Sequence, residues 1–178
     1  MTFRTATRRD LPAVLALLAD EDRVLDPASI VVGEAHERAF AAIEADPRNE
    51  MLVLTDGAEG PDRAEGPDRA DGPDRADGAH ASDEAHEIVL GCLQLTYIPG
   101  LGQNGQERAV VEAVRIRADR RGAGLGAELM RLAVERARER GCGLVQLTSS
   151  KRRTAAHRFY ERLGFARSHE GFKLQLKP

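Results

Sequence analysis

The apolar residues of this chain recur at two different spacings, which separate predicted helices from predicted strands. Leu11, Val14 and Leu18 lie three or four residues apart, as on one face of a helix. The same spacing predicts three further helices, at residues 29–45, 125–140 and 154–163. Proline or glycine follows each of these three segments directly or after one residue, which is where helices usually end.

Short runs of apolar and β-branched residues predict the strands of one sheet. They lie at residues 3–6, 51–55, 88–98, 110–116 and 144–148, with one or two more within 165–176. A turn that begins at Pro99 separates the third run from the fourth, so these two are expected to be antiparallel neighbours. The order of the elements predicts a single α/β domain over residues 1–178, with helices flanking a mixed, mostly antiparallel sheet.

Residues 57–86 depart from this pattern. The hexapeptide Glu-Gly-Pro-Asp-Arg-Ala stands twice from residue 59, and a close copy beginning with Asp follows to residue 76. No apolar residue larger than alanine lies between Asp56 and His86, so the segment cannot bury enough surface to offset its ordering entropy. We predict a low-complexity acidic insertion that forms a mobile loop between two strands. An inert expansion is favoured over a contact with a basic partner.

Charge is unevenly distributed along the chain. The 178 residues hold 26 Lys+Arg and 29 Asp+Glu, a net charge of −3. Residues 56–87 contain eleven acids and three arginines, so they carry −8 and the remainder carries +5. A mildly basic body suits an anionic ligand such as a phosphorylated cofactor, although an ordinary solvated surface explains the same charge. Only 4% of the residues are aromatic, and no basic stripe interleaves with them, which argues against a nucleic-acid partner.

The composition also excludes several classes of protein. No apolar run reaches the length of about 18 residues that a membrane helix needs, and residues 1–19 lack a signal-peptide pattern. Cys92 and Cys142 are too few and too far apart for a disulfide framework or a metal cluster. We therefore expect a cytoplasmic protein without a bound metal and without membrane association.

A glycine-rich stretch, Arg121-Gly-Ala-Gly-Leu-Gly126, stands between a predicted strand and a predicted helix. Glycine lets backbone N–H groups approach a ligand closely, and the following helix directs its free N–H groups to the same place. The stretch predicts a pyrophosphate cradle, although a tight turn needs glycine too. A Walker loop is excluded because Gly-Lys-Ser/Thr is absent. Gly122, Gly124 and Ala127 match the G-x-G-x-x-A of dinucleotide-binding proteins, but residues 117–121 separate them from the strand.

A third nucleotide-site pattern, R-x-x-G-x-G, is matched by Arg121, Gly124 and Gly126. A second motif, Ala-His-Arg-Phe-Tyr-Glu-Arg-Leu-Gly-Phe at 156–165, is similar to a segment near the C-terminus of one enzyme family. With both motifs in order, nearly the whole chain resembles the GNAT superfamily of N-acetyltransferases. The resemblance implies transfer of acetyl from acetyl-CoA to a primary amine by direct transfer in a ternary complex. A non-catalytic acyl-CoA-binding sensor or interaction module is the alternative.

The resemblance also implies which residues hold the cofactor. In the family, the backbone of the strand before the glycine loop pairs with the pantetheine arm, and N–H groups of the loop hold the pyrophosphate. Arg153 stands where many members carry an asparagine that contacts pantetheine. The cofactor-binding residues expected on this basis are Val114, Arg115, Ile116, Arg121, Gly122, Ala123, Gly124, Leu125, Gly126, Ala127, Arg153 and Ala156.

Tyr160 is the candidate acid for the departing thiolate. It occupies the second aromatic position of the Phe-Tyr pair, where many members of the family place a tyrosine near the sulfur of CoA. A phenol with an ordinary pKa near 10 is protonated at neutral pH and is able to donate its proton. The alternative is a core aromatic residue beside Phe159.

Glu112 is the candidate base, because the strand that contains it resembles the corresponding strand of polyamine-type members. Alternation predicts that Val110, Glu112, Val114 and Ile116 share one face, where a buried carboxylate is costly unless it serves a site. Two alternatives stay open. Glu112 forms a salt bridge with a neighbouring arginine, at position 115 or 117, or it simply binds a cationic amine.

The acceptor is expected to enter between the two N-terminal helices and the 98–109 turn. Tyr97 and Gln103 are candidate lining residues. Acidic residues of this region that could attract a cationic amine are Asp20, Glu21, Asp22, Asp26 and Glu34. No feature separates a small-molecule amine from a peptide amine, and a homodimer is left open.

Overall fold

The computed structural model describes residues 1–19, 26–57 and 87–176, and within them a five-stranded sheet. The strands are β1 (Thr2–Thr5), β2 (Asn49–Thr55), β3 (Val89–Ile98), β4 (Arg108–Ile116) and β5 (Leu144–Leu147). They lie in chain order, and every neighbouring pair is antiparallel except β4 and β5, which are parallel. The predicted α/β fold with a mixed, mostly antiparallel sheet is confirmed.

The helices of the described residues are α1 (Leu11–Ala19), α2 (Glu34–Ala45), a single turn α3 (Gly102–Gly105), α4 (Leu125–Glu139) and α5 (Thr154–Arg162). Short 3₁₀ turns precede α1 and α4 and occupy Pro27–Ser29. The prediction that the second helix begins at Ser29 is wrong. The side chain of Asp26 caps the 3₁₀ turn, and Ile30 is extended with ψ of 122°, so α2 begins only after Gly33.

Two hydrophobic layers cover opposite faces of the sheet. On one face, α1 and α2 pack on a layer that includes Met51, Val53 and Cys92. On the other face, α4 packs on the alternate residues of the same strands, including Leu93 and Leu95, and α5 lies against this layer. Apolar residues point to both faces of β2 and β3 because each face has a helical layer to cover it. Helices therefore cover both faces of the central strands, and the cleft described below lies at the edge of β4.

A β-bulge interrupts β4 at Ala113, which has a φ of 55°. Gln94 pairs with Glu112, but Cys92 pairs with Arg115, so β4 has one more residue than β3 over this stretch. The extra residue places Val114 and Ile116 against the α4 layer, on the face opposite Glu112. The prediction that Glu112 shares one face with Val114 and Ile116 is therefore wrong, because strict alternation of side chains ends at a bulge.

The C-terminal segment 165–176 has no regular secondary structure, so the predicted final strands are wrong. Phe165 is half-buried against the ring of Tyr160, but the apolar residues that follow are exposed, with Phe172 at 93%. Alternating apolar residues make a strand only where an edge and a packing layer receive them. Phe172, Leu174 and Leu176 stay exposed and join no strand of the described sheet.

The predicted insertion lies almost wholly outside the described residues, which end at Gly57 and resume at Glu87. The two ends are held together by the hairpin from which the insertion departs. The backbone N–H of Asp56 donates to the carbonyl of Ile88 over 3.1 Å, and the N–H of Ile88 donates to the carboxylate of Asp56 over 2.9 Å. Thr55 pairs with Val89 just before this point. A short turn would therefore connect β2 to β3.

We expect that replacing residues 58–86 by two glycines leaves the protein folded. The joined ends are already adjacent, and a shorter loop lowers the entropic cost of closing the hairpin. Thermal denaturation should show a melting temperature equal to or slightly above that of the full chain. Glu87 is kept because it pairs with Arg4 over 2.9 Å, and Glu87→Gln in the full chain is the control for that contact. A large drop in melting temperature would contradict the predicted loop.

Candidate active site

The loop between β4 and α4 presents backbone N–H groups to solvent. Gly122 and Gly124 have φ of 83° and 82°, a left-handed conformation that favours glycine. No atom lies within 4 Å of a Cβ built at either residue, so the space above the loop is open. Gly124 is the N-cap of α4, and its carbonyl accepts from Ala127 and Glu128. The N–H groups before these two point out of the helix at its positive end, as an anion cradle requires.

Among the described residues, no strand lies beside the edge of β4 that leads to this loop. β5 pairs with β4 only from Arg108 to Val111, and the rest of β4 lies beyond the last pair. The carbonyl of Val114 accepts from the guanidinium of Arg115 over 2.9 Å, and that of Ile116 accepts from Arg121 over 3.2 Å. Arginine side chains therefore bond backbone groups in this part of β4. An extended ligand with amide groups fits such an edge in the way that an added strand would.

A cleft of about 360 Å³ lies between this edge and the first turn of α5. It is lined by Val114, Arg115, Ile116, Arg121, Arg152, Arg153, Thr154, Ala155 and Ala156. Six of these belong to the predicted cofactor-binding set. The other predicted residues, 122–127, continue from Arg121 along the loop and do not line the cleft. The side chain of Leu125 is buried in the core, so this residue offers only its backbone.

Thr154 and Ala155 are cleft residues that the sequence analysis missed. They form the first turn of α5, which begins at Thr154 after Arg153. The signal was present in the sequence, because the start of a predicted helix places free N–H groups and positive potential there. The backbone N–H groups of this turn add a second positive end beside that of α4.

Tyr160 lies on α5, one turn after the cleft residue Ala156, and is half-buried. Its ring contacts Phe159 and Phe165 edge-to-face, at centroid distances of 5.1 and 6.1 Å. Burial raises the pKa of Tyr160, and the guanidinium groups of Arg153 and Arg115 offset part of this rise. The hydroxyl makes no hydrogen bond to any residue of the described segments. The ring is fixed by packing, while the phenol is protonated at neutral pH and able to donate.

Glu112 lies on β4 just before the bulge, opposite Gln94, and is exposed. The expectation of a carboxylate buried in an apolar strand is therefore wrong. The salt bridges considered for it are not formed among the residues described here: Arg117 instead pairs with Asp119 over 2.7 Å. An exposed carboxylate without an ion pair is accessible to an amine on the α1 and α2 side of the sheet.

Tyr97 does not line a substrate path, contrary to the sequence prediction. It is 1% exposed, and its hydroxyl donates to Glu50 over 2.7 Å. The guanidinium of Arg140 lies over its ring, 4.0 Å from the centroid. Gln103 is exposed in the α3 turn, and the predicted acids at 20–22 lie outside the described residues. Tyr97 is therefore part of the core at the far end of α4.

Neither cysteine has the environment of a nucleophile. Cys92 is buried, and burial raises its thiol pKa to about 12. Burial and the nearby Glu107 carboxylate also raise the pKa of Cys142. In the described part of the chain, no group of histidine, cysteine and acidic side chains could hold a metal ion. Within the same ranges, no helix is long and apolar enough to cross a membrane.

Solved structures share this arrangement over nearly the full chain. A transcriptional regulator from Bacillus halodurans C-125 is 36% identical, with a TM-score of 0.72 and coverage of 98% of this chain and 99% of that one. A putative acetyltransferase from Agrobacterium tumefaciens is 26% identical, with a TM-score of 0.71 and the same coverage. Glucosamine-6-phosphate N-acetyltransferase from Arabidopsis thaliana has the same fold at 15% identity, with a TM-score of 0.66 and coverage of 99% and 98%. No curated protein sequence matches the chain.

An open strand edge beside a glycine loop at a helix N-terminus suits an extended ligand that carries an anionic group. The profile of the acetyltransferase (GNAT) family matches residues 49–165. The chain therefore belongs to the GNAT family of acetyltransferases, whose members use acetyl-CoA as co-substrate. The cradle, the open edge of β4 and the cleft fit acetyl-CoA.

We expect Gly124→Ala to weaken acetyl-CoA binding several-fold. An alanine at a φ of 82° costs about 1 kcal/mol, and relief of this strain moves the N–H groups of the cradle. Calorimetric titration measures the affinity, and thermal denaturation measures the loss of stability. Gly102→Ala is a matched control, because its Cβ would also meet no atom within 4 Å and its φ is not positive. Equal effects of the two substitutions would contradict the cradle.

Proposed function

We propose that the protein is an N-acetyltransferase that transfers the acetyl group of acetyl-CoA directly to the primary amine of a small molecule or peptide. The observation that carries this proposal is the cleft between the open edge of β4 and the first turn of α5, with Tyr160 on the same helix. Family membership supports acetyl transfer, and the likeness in fold to an enzyme named as an N-acetyltransferase suggests an amine acceptor.

The cofactor is assigned to the surfaces described above. Val114 and Ile116 would bond the pantetheine arm through their backbones. The N–H groups from Gly122 to Ala127 would hold the pyrophosphate, with Arg121 at the rim. Arg153 and Ala156 would contact the arm from α5. Bound acetyl-CoA supplies an activated thioester, and the chain supplies the groups that orient it and move protons.

Two proton transfers are assigned to side chains. An amine must lose a proton before it attacks, because an ammonium ion has no lone pair, and Glu112 would accept that proton, directly or through a water. The departing thiolate needs a proton, and the Tyr160 hydroxyl would donate it. Burial raises the pKa of Tyr160, so the phenol carries its proton at neutral pH and its O–H is available to the developing thiolate. Tyr160 packs on the same layer as Val114 and Ile116, whereas Glu112 lies on the opposite face of β4. The proposed proton donor and proton acceptor therefore lie on different sides of the strand.

Direct transfer is proposed because no activated nucleophile serves an acyl-enzyme route in the described residues. The pKa values of both cysteine thiols are raised, so neither is a thiolate at neutral pH. Initial-rate kinetics with both substrates varied should give intersecting lines. Parallel lines would indicate a covalent intermediate and contradict direct transfer.

Calorimetric titration with acetyl-CoA, with NADPH as the control, tests the cofactor. We expect micromolar binding of acetyl-CoA alone. A panel of amines assayed for release of free thiol then tests the reaction, and the panel should include polyamines, amino sugars, amino acids and peptides. Binding of NADPH, or of neither ligand, would contradict the proposed function. Binding of acetyl-CoA without thiol release from any amine would favour a non-catalytic acyl-CoA sensor.

A further inference from the structure

The two edge strands of the described sheet differ in how they are protected against pairing with another chain. The strand β1 carries Arg4, whose guanidinium pairs with Asp10 over 2.7 Å and with Glu87 over 2.9 Å. A charge on an edge strand discourages such pairing. From Leu144 to Ser150, β5 and the residues that follow it contain neither a charged residue nor a proline. The outer edge of β5, which no strand of the described residues occupies, is therefore open to a further strand.

Residues 172–176 have the alternation of a strand but join no strand of the described sheet. Phe172, Leu174 and Leu176 alternate with polar residues, and their exposed fractions are 93%, 85% and 87%. Large apolar side chains that lie together in water commonly mark an interaction surface. The segment thus presents one apolar face, and the described part of its own chain does not cover that face.

The segment begins close to the carboxyl end of β5. The ammonium of Lys151 lies 3.7 Å from the carboxylate of Glu170, and Lys151 follows β5 by a few residues. The exposure of Leu174 and Leu176 shows that the segment does not pack along β5 of its own copy. An unpaired strand-like segment and an unpaired strand edge therefore lie at one border of the molecule without being joined.

The apolar residues of β5 match the apolar face of the segment. Val145 and Leu147 pack on the α4 side of the sheet and are only partly buried. In neighbouring strands, side chains of facing rows lie side by side and contact one another. A segment paired at this edge would extend the row of Val145 and Leu147 with its own three apolar residues. The pairing would remove both sets of side chains from water.

We propose that two copies of the chain exchange residues 172–176, so that each segment pairs with the edge of β5 in the other copy. Each copy offers both a segment and an edge, so the exchange is two-fold symmetric and closes at a dimer. The added strand carries Lys173, and a lysine on an edge discourages further pairing. At about 150 Å² for each large side chain, six such side chains and the surface they cover exceed the roughly 1,000 Å² that specific interfaces bury.

The test measures the mass of the protein in solution by light scattering after gel filtration, across a dilution series. The wild type should have twice the mass of one chain. Leu174→Asp should raise the dissociation constant of the dimer by roughly tenfold or more, because the exchange would bury the new carboxylate. Val31→Asp is the matched control, since Val31 is also 85% exposed but lies just before α2, and this variant should stay a dimer.

Hydrogen exchange provides a second measurement, which reports on the pairing itself. The backbone amides of residues 172–176 should exchange slowly in the wild-type dimer, because a strand ladder protects them, and fast in Leu174→Asp. Circular dichroism should show that Leu174→Asp is folded, since the side chain it replaces packs on nothing in the described fold.

Two outcomes would overturn the inference. A monomeric wild type overturns it, and slow exchange at residues 172–176 in that monomer would assign the segment to the edge of its own copy. A dimer that survives Leu174→Asp, or whose amides at 172–176 exchange fast, has another interface and also overturns it. Neither outcome depends on acetyl-CoA, so the proposed function stands or fails separately.

Discussion

Tyr160→Phe is expected to lower the turnover number at least tenfold while leaving the affinity for acetyl-CoA near normal. The substitution removes only the hydroxyl, and the ring keeps its edge-to-face contacts with Phe159 and Phe165. The thiolate then leaves without an acid, and general acid catalysis typically contributes a factor of at least a hundred. Steady-state kinetics with a saturating amine measures turnover, and calorimetry measures binding.

Tyr97→Phe is the matched control, because Tyr97 is the other of the two tyrosines in the chain. Its hydroxyl donates to the carboxylate of Glu50, so the substitution should lower stability by about 1.5–3 kcal/mol. Turnover per folded molecule should stay unchanged. Tyr160→Phe should show the opposite result, with slow turnover and normal stability. Unchanged turnover in Tyr160→Phe would remove this residue from the acid role and leave it as a packing residue.

Glu112→Gln should lower kcat/KM for the amine at least tenfold without changing acetyl-CoA affinity or melting temperature. Glutamine keeps the shape of the side chain but cannot accept a proton, and the exposed position of Glu112 makes no ion pair whose loss would destabilise the described fold. The deficit should shrink as the pH approaches the pKa of the amine, because the free base is then supplied by solution. Kinetics across a pH series measures both effects.

Glu44→Gln is the control for Glu112→Gln, because Glu44 is also exposed but lies on α2. It should behave as the wild type at every pH. If the two variants give the same kcat/KM, Glu112 is an ordinary surface residue and the amine loses its proton to solvent. A deficit that stays constant with pH would instead assign Glu112 to another role.

Much of the fold followed from periodicity because most segments have a layer to pack on. The five strands and the helices α1, α4 and α5 were predicted close to their observed positions, whereas α2 begins five residues later than predicted. The bulge at Ala113 was not predicted, because an alanine does not indicate a positive φ. Gly122 and Gly124 do indicate one, since glycine adopts such a φ readily. The terminal strands failed for another reason. The spacing of Phe172 and Leu174 fits a strand, but spacing alone does not determine whether the segment pairs with the sheet.

The site was predictable where a motif specifies backbone. The loop from Arg121 to Gly126 was predicted because glycine lets backbone N–H groups approach a ligand, and the cleft residue Ala156 was predicted from the family resemblance of residues 156–165. The prediction that Tyr97 lines the substrate path was wrong, although alternation along β3 predicts its burial. Tyr97 continues the row of Leu93 and Leu95, and this row is buried. The sequence could not predict that Glu112 lies on the face opposite Val114 and Ile116. That arrangement depends on the bulge at Ala113, which the sequence does not signal.

The bulge also sets how β4 can change in evolution. The single extra residue shifts the alternation of side chains by one position. Glu112 therefore faces one side of the strand, and Val114 and Ile116 face the other. One strand can therefore be altered independently on its two sides by substitution. Loss of the bulge without a change in length would restore strict alternation, turn Arg115 into the α4 layer and bring Val114 and Ile116 out beside Glu112. The bulge therefore decides which side chains of β4 face the α4 layer.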